Sequence, residues 1–203
     1  MLATLLSSSR GRTVTSLSES ATGRELVDFE RRMRLSLQER GFVTLSVNYR
    51  YYLDAIPALR TRFGAETLDV TAELLTAMRA TADALGVDWS LVRRADRPGA
   101  APQDAANLRR LVALAAAGLE ERLTTEPEPL LVVEAAPLPR YDRLAVLERL
   151  ADKATARPAA RWLLLPVERG GAPHLEDRPA PAILSALKIP TKWIETHRRS
   201  KAS

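Results

Sequence analysis

Two short, wholly apolar runs constrain this chain more than any other feature: Leu130-Leu-Val-Val133 and Trp162-Leu-Leu-Leu165. A strand with one solvated face alternates apolar and polar residues. A continuous run of four needs burial on both faces, the condition of a parallel sheet covered by helices on each side. Between the two runs, Tyr141 to Ala154 carries Leu144, Leu147, Leu150 and Ala151 at helical spacing. The unit therefore reads strand, helix, strand, a connection that calls for parallel pairing. Leu130–Val133 is expected to be the central strand.

The remaining text continues the alternation. Thr22-Gly-Arg-Glu25 has capping-box spacing, and Leu26, Phe29, Met33 and Leu37 then recur at helical intervals up to Gly41. Phe42 to Val47 alternates as a strand. Tyr49 to Phe63 is helical despite Pro57 and ends at Gly64, and Glu66–Val70 reads as a second short strand. Asp69 or Thr71 caps a helix carrying Leu74, Leu75, Met78, Ala82 and Leu85, closed by Gly86. Asp88 caps a short turn with Trp89 and Val92. Asp104 opens an amphipathic helix through Leu108, Leu111, Val112, Ala115, Leu119 and Leu123, and Thr124 to Pro129 breaks it.

The expected fold is α/β, a three-layer, mainly parallel sheet flanked by helices. Residues 1–20 read as a flexible arm, 21–167 as the α/β domain, and 168–203 as a loop-rich tail packing on it. That tail carries one short strand candidate, Ala182 to Leu184, and a final helical turn around Trp193. With 46% hydrophobic and 27% charged residues the chain has an ordinary globular composition, but only 5% aromatics, so aliphatic side chains must fill the core. Cysteine is absent, which excludes disulfides and thiolate chemistry and fits a reducing compartment; the cytoplasm is expected. Met1-Leu-Ala-Thr-Leu-Leu6 is too short for a signal h-region, and no apolar run is long enough to span a membrane.

The residues lack most of the motifs that carry chemistry. None of the nine glycines belongs to a phosphate-cradling loop followed by Lys, and no Gly-x-Gly-x-x-Gly follows a strand. The kinase magnesium motif is missing, since Asp28-Phe29 is followed by Glu30 inside an amphipathic helix. His174 and His197 are the only histidines; His174 lies in a Pro/Gly loop and reads as solvated, and no metal site, cofactor or catalytic nucleophile is expected. The best chemical feature is Glu134, a carboxylate ending an apolar strand, as in the Walker B strand of P-loop ATPases. The whole thus resembles a degenerate P-loop NTPase core without a Walker A loop. An ordinary strand end with a solvated or paired Glu134 is the competing reading; Arg140 and Tyr141 are expected to pair or stack there, or to serve as scaffold.

A net charge of +5 permits contact with polyanions. Arg24, Arg31 and Arg34 lie opposite the apolar stripe of the first helix, with Arg32 nearby, but Glu25, Asp28 and Glu39 dilute them. Lys188, Lys192, Arg198, Arg199 and Lys201, punctuated by Trp193, form a less diluted group. These are the candidate nucleic-acid contacts, and a solvated, salt-bridged surface is the alternative.

Several blocks together carry a family resemblance: Gly41 to Val47, Gly86-Val-Asp-Trp89 with Arg94-Ala-Asp96, Leu130 to Tyr141, Arg161 to Pro166, and Ile189-Pro-Thr-Lys-Trp193 near His197. Over roughly residues 41 to 199 the chain resembles the C-terminal region of the PglW-type serine/threonine kinases of phage growth limitation and type 2 BREX antiphage defence. The resemblance implies a fragment or split-off tail of such a protein, with the kinase machinery elsewhere. It further implies a noncatalytic docking or regulatory role toward other defence-system proteins. It assigns no catalytic residue here, because no kinase motif lies in this stretch. The competing expectation is a nucleotide-linked or nucleic-acid-binding domain that uses Glu134 and the basic surface.

Overall fold

The computed structural model describes residues 10–168 and 171–199, with side chains from residue 23 to residue 198 within those ranges. The elements follow as α1 (Arg10–Gln38), β1 (Phe42–Asn48), a 3-10 turn (Tyr49–Tyr51), α2 (Tyr52–Phe63), β2 (Glu66–Asp69), α3 (Val70–Ala84), α4 (Trp89–Ala95) and α5 (Pro102–Thr125). After these come β3 (Leu130–Val133), α6 (Pro137–Arg140), α7 (Ala145–Ala151), β4 (Arg161–Val167), the hairpin of β5 (His174–Leu175) and β6 (Arg178–Pro179), a 3-10 turn (Ile183–Ser185), β7 (Leu187–Lys188) and α8 (Thr191–Arg199).

Five strands form one sheet in the order β2-β3-β4-β1-β7, and each neighbouring pair is parallel. The middle position belongs to β4, which pairs β1 along its length from Phe42↔Arg161 to Asn48↔Val167 and pairs β3 on its other side. Leu130–Val133, expected at the centre, is second from the edge. The apolar run required burial on two faces, which that position also provides.

Period-two alternation sends each inner strand into two separate cores. Leu130 and Val132 of β3, with Leu163 and Leu165 of β4, pack beneath α3, α5 and α7. Leu131 and Val133, with Trp162 and Leu164, pack beneath α1, α2 and α8. Helices therefore cover both faces, and the architecture is the expected three-layer α/β fold. A Leu or Val moved fully into either core contributes about 1.5–3 kcal/mol relative to exposure, so the aliphatic runs supply most of the cohesion.

Local signals set most boundaries. Gly64 adopts φ 69°, the left-handed conformation that ends α2. Asp69 Oδ1 accepts from the Ala72 N–H to start α3, and Asp88 Oδ1 accepts from Ser90 to start α4. Pro166 lies within β4 instead of ending it; β3 pairs β4 only as far as Leu163, so one edge of β4 is open there and tolerates a residue without an N–H.

Four further expectations change. α1 begins at Arg10, so Thr22 lies inside the helix; of the arm expected over residues 1–20, residues 1–9 lie outside the described residues and the backbone beyond them is helical. α5 opens at Pro102, whose missing N–H suits a first helical position, rather than at Asp104. The helix expected over Tyr141–Ala154 shrinks to Ala145–Ala151, because Asp142 takes φ 58° and interrupts the winding. Ala182–Leu184 is not a strand: Ala182 is left-handed and Ile183–Ser185 makes a 3-10 turn, while the fifth strand is Leu187–Lys188. The segment after Val167 reaches both cores, Leu175 and Ala180 on one face and Leu187, Ile189, Trp193 and Ile194 on the other.

Candidate functional site

In an open parallel sheet the strand C-termini face the ligand crevice, and Glu134 stands there, directly after β3. Its backbone is held on both sides. The Glu134 N–H donates to the Tyr52 hydroxyl at 3.3 Å, and Thr71 Oγ1 donates to the Glu134 carbonyl at 2.9 Å. Glu134 takes φ 51°, an unusual conformation for a residue with a Cβ, while its carboxylate is exposed. Burial at the start of α2 holds the Tyr52 proton firmly, raising its pKa well above the ordinary tyrosine value. The β3 end is thus tied to α2 and α3.

The neighbouring turn spends its backbone donors internally. Asn48 Oδ1 accepts from the Arg50 N–H at 3.0 Å, and the Tyr52 N–H returns to the Tyr49 carbonyl. A phosphate cradle requires several adjacent N–H groups pointing outward. At this turn two of them are already engaged, so the geometry supplies an exposed acid beside a turn that is self-bonded.

Arg140 and Tyr141 come together, but around Asp96 rather than Glu134. Arg140 Nη2 donates to Asp96 Oδ1 at 3.0 Å and to its carbonyl at 3.2 Å; Tyr141 Oη donates to the same Oδ1 at 2.9 Å. The guanidinium carbon lies 5.7 Å from the Tyr141 ring centroid. Burial first, then Asp96, pushes the Tyr141 pKa up to about 12. The trio fastens the end of α6 to the end of α4.

The basic candidates are spread over several places. Arg31 pairs with Asp28 at 2.5 Å, Arg34 with Glu30 at 3.1 Å and Arg198 with Asp54 at 3.0 Å. Arg32, Lys188 and Lys192 line one cleft of about 610 Å³ between α1 and the start of α8, together with Glu25 and Asp28. Arg24 is exposed on α1, whereas the Arg199 side chain and all of Lys201 lie outside the described residues.

A polar cluster that sequence reasoning passed over is centred on Glu30 of α1. Arg62 donates to it through Nε at 2.9 Å and Nη2 at 2.5 Å, Arg34 at 3.1 Å and the Trp193 indole at 3.2 Å; His197 Nε2 lies 3.8 Å away. The Arg62 bond above all lowers the Glu30 pKa to about 2. Phe29 meets the Trp193 ring edge-on at 5.0 Å and Phe63 stacks on it at 5.9 Å. Beside this junction a groove of about 860 Å³ opens between α1 and α8, with Leu26, Val27, Leu35 and Trp193 along it. The one sequence signal for it was available: Val27 and Leu35 are apolar yet lie outside the stripe of Leu26, Phe29, Met33 and Leu37.

Among the described residues no group of three or more metal-ligating side chains comes together, and no helix is long and apolar enough to cross a membrane. No protein-family model matches the chain, and no solved structure matches it. Over 205 aligned positions the chain is 25% identical to a protein named probable kinase PglW from Streptomyces coelicolor, an alignment that takes in 95% of this chain and 13% of that protein. The chain is thus similar along nearly its whole length to a small part of a much larger probable kinase.

Proposed function

We propose that this chain is a noncatalytic interaction or regulatory module of a bacterial antiphage defence protein of the Pgl/BREX type. The observation that carries the reading is the extent of the similarity: 95% of this chain aligns with only 13% of probable kinase PglW. The kinase loop motifs are not in this sequence, which supports a role other than phosphoryl transfer. The C-terminal end of the strands supports the same reading, since the Glu134 backbone is clamped by Tyr52 and Thr71 and the adjacent turn is bonded to itself. Two experiments test it. Purified chain incubated with magnesium and each NTP should release no phosphate above a buffer control, and specific magnesium-dependent hydrolysis would remove the noncatalytic role. Used as bait in a reconstituted defence gene cluster, the chain should retain cluster proteins through low- and high-salt washes.

A second reading, a nucleic-acid-binding domain, is favoured by one observation, the convergence of Arg32, Lys188 and Lys192 on a single cleft. It predicts DNA or RNA binding whose log affinity falls steeply with log salt. Glu25 and Asp28 in the same cleft weaken it.

A further inference from the structure

The groove between α1 and α8 joins an apolar stripe to a cationic rim. Val27 is 70% exposed and Leu35 48% exposed, large values for aliphatic side chains eight residues apart on one helix face. Leu26 and the Trp193 ring, which is held by Glu30, Phe29 and Phe63, continue the apolar surface inward. Contiguous apolar surface rimmed by charge is the usual mark of a protein contact. Along α1 the groove runs from Leu26 to Gln38, about 20 Å at 1.5 Å per residue, enough for about three to four turns of a second helix.

We propose that this groove is the docking site for an acidic amphipathic helix of another protein. The inference rests on the module reading above. Charge complementarity selects the occupant. Arg31 and Arg34 lie on the groove wall with side chains 75% and 59% exposed, and among the described residues each pairs with a carboxylate three or four residues earlier in its own helix. An exposed pair such as Arg31 with Asp28 is worth about 0–1 kcal/mol, so a carboxylate of an incoming helix can replace it at little cost, and the exposed Arg34 guanidinium can accept a second carboxylate while keeping Glu30. Glu30 does not neutralise the rim fully, because its single charge is shared between Arg34 and Arg62, which donates to both its oxygens. A second copy of this chain is a poorer occupant: bringing two α1 faces together would set Arg31 and Arg34 against their own counterparts. A nucleic-acid strand would leave Val27 and Leu35 uncovered by anything apolar. A helix with leucines at three- and four-residue spacing and flanking glutamates satisfies both stripe and rim.

The test is a fluorescence-anisotropy titration of the full chain with a labelled 14-residue helical peptide of that design and with its twin bearing lysine for each glutamate. The glutamate peptide should bind at least about tenfold more tightly than the lysine peptide. Combined R31E and R34E should reverse the preference, and Leu35→Ser, which leaves the Glu30 cluster intact, should weaken the glutamate peptide by about tenfold or more. Equal binding of both peptides, or binding indifferent to all three substitutions, overturns the proposal. So does a dimer in sedimentation that Leu35→Ser dissolves, which would assign the groove to a second copy. In the reconstituted gene cluster, a partner retained by the native chain and lost with Leu35→Ser supports the groove. A partner retained by both overturns it while leaving the module reading intact. Recovery by neither overturns the module reading, and the peptide titration then decides the groove by itself.

Discussion

The indole Nε1 of Trp162 donates to Ser36 Oγ at 2.9 Å, joining the middle strand of the sheet to the first helix across 126 residues of sequence. Trp162 is fully buried, and Ser36 passes its own hydroxyl proton to the Met33 carbonyl at 2.7 Å, so every polar atom of the pair is satisfied. Ser36→Ala leaves a buried indole N–H without a partner, at an expected cost of about 1–3 kcal/mol. Urea unfolding measures it as a lower midpoint at unchanged slope. A loss under about 0.5 kcal/mol would mean that the indole finds another acceptor.

Arg161, one residue earlier, is fully buried and faces carbonyls instead of a carboxylate. Its Nε donates to Leu123 O at 2.7 Å, Nη2 to Glu126 O at 2.5 Å, and Nη1 to Glu128 O and Ala160 O, both at 3.1 Å. The guanidinium thereby terminates α5 and ties its exit loop to β4, at a desolvation cost that lowers its own pKa. Arg161→Leu should destabilise by about 2–4 kcal/mol, since several carbonyls lose donors at once. Arg161→Lys should recover less than half of that, a compact ammonium being unable to reach all four acceptors. Thermal unfolding of the two variants beside the native chain gives the order.

What could be read from the residues were features written in one place. The apolar runs of β3 and β4, the caps Asp69 and Asp88 and the stops at Gly64 and Gly86 each act over a few residues, and each is where the text put it. The position of β3 was not legible, because burial on both faces fits the second strand of five as well as the third. Leu187–Lys188 is too short to show a period, and it is a strand only because β1 offers Leu45 and Ser46 as partners. Glu30 gave no signal at all, since on a helix it resembles any solvated acid until Arg62 and Trp193 arrive from 32 and 163 residues away. Arg140 and Tyr141, expected beside Glu134, instead meet at Asp96, which lies 44 and 45 residues earlier and carries no local mark of that pairing.

That trio offers a spectroscopic test. Because the Tyr141 hydroxyl donates to a carboxylate, ionising the phenol would set two negative oxygens against each other. Asp96→Asn removes the carboxylate charge, so the Tyr141 pKa should fall from about 12 toward the ordinary value near 10, with burial keeping it somewhat raised. Absorbance at about 295 nm, followed against pH in native and Asp96→Asn chains, each compared with Tyr141→Phe, isolates the residue. No movement of the Tyr141 transition would assign the whole shift to burial.

Glu30 makes stability depend on acid in a defined window. Its folded pKa of about 2 lies below the ordinary 4.5, so the carboxylate contributes fully above the ordinary value, and the contribution is lost as pH falls from 4.5 through 2. The shift sets an upper bound of about 3 kcal/mol. Glu30→Gln keeps the shape but weakens the bonds to Arg62, Arg34 and Trp193. At neutral pH it should cost up to that amount; toward pH 2 its unfolding free energy should converge on that of the native chain, whose Glu30 is by then being protonated. Denaturant titrations at about pH 7, 5, 4, 3 and 2 give the difference curve. Because Glu30 binds α1 to α2 and to α8 together, a difference independent of pH would show that packing of the Trp193 ring, rather than charge, holds the three helices.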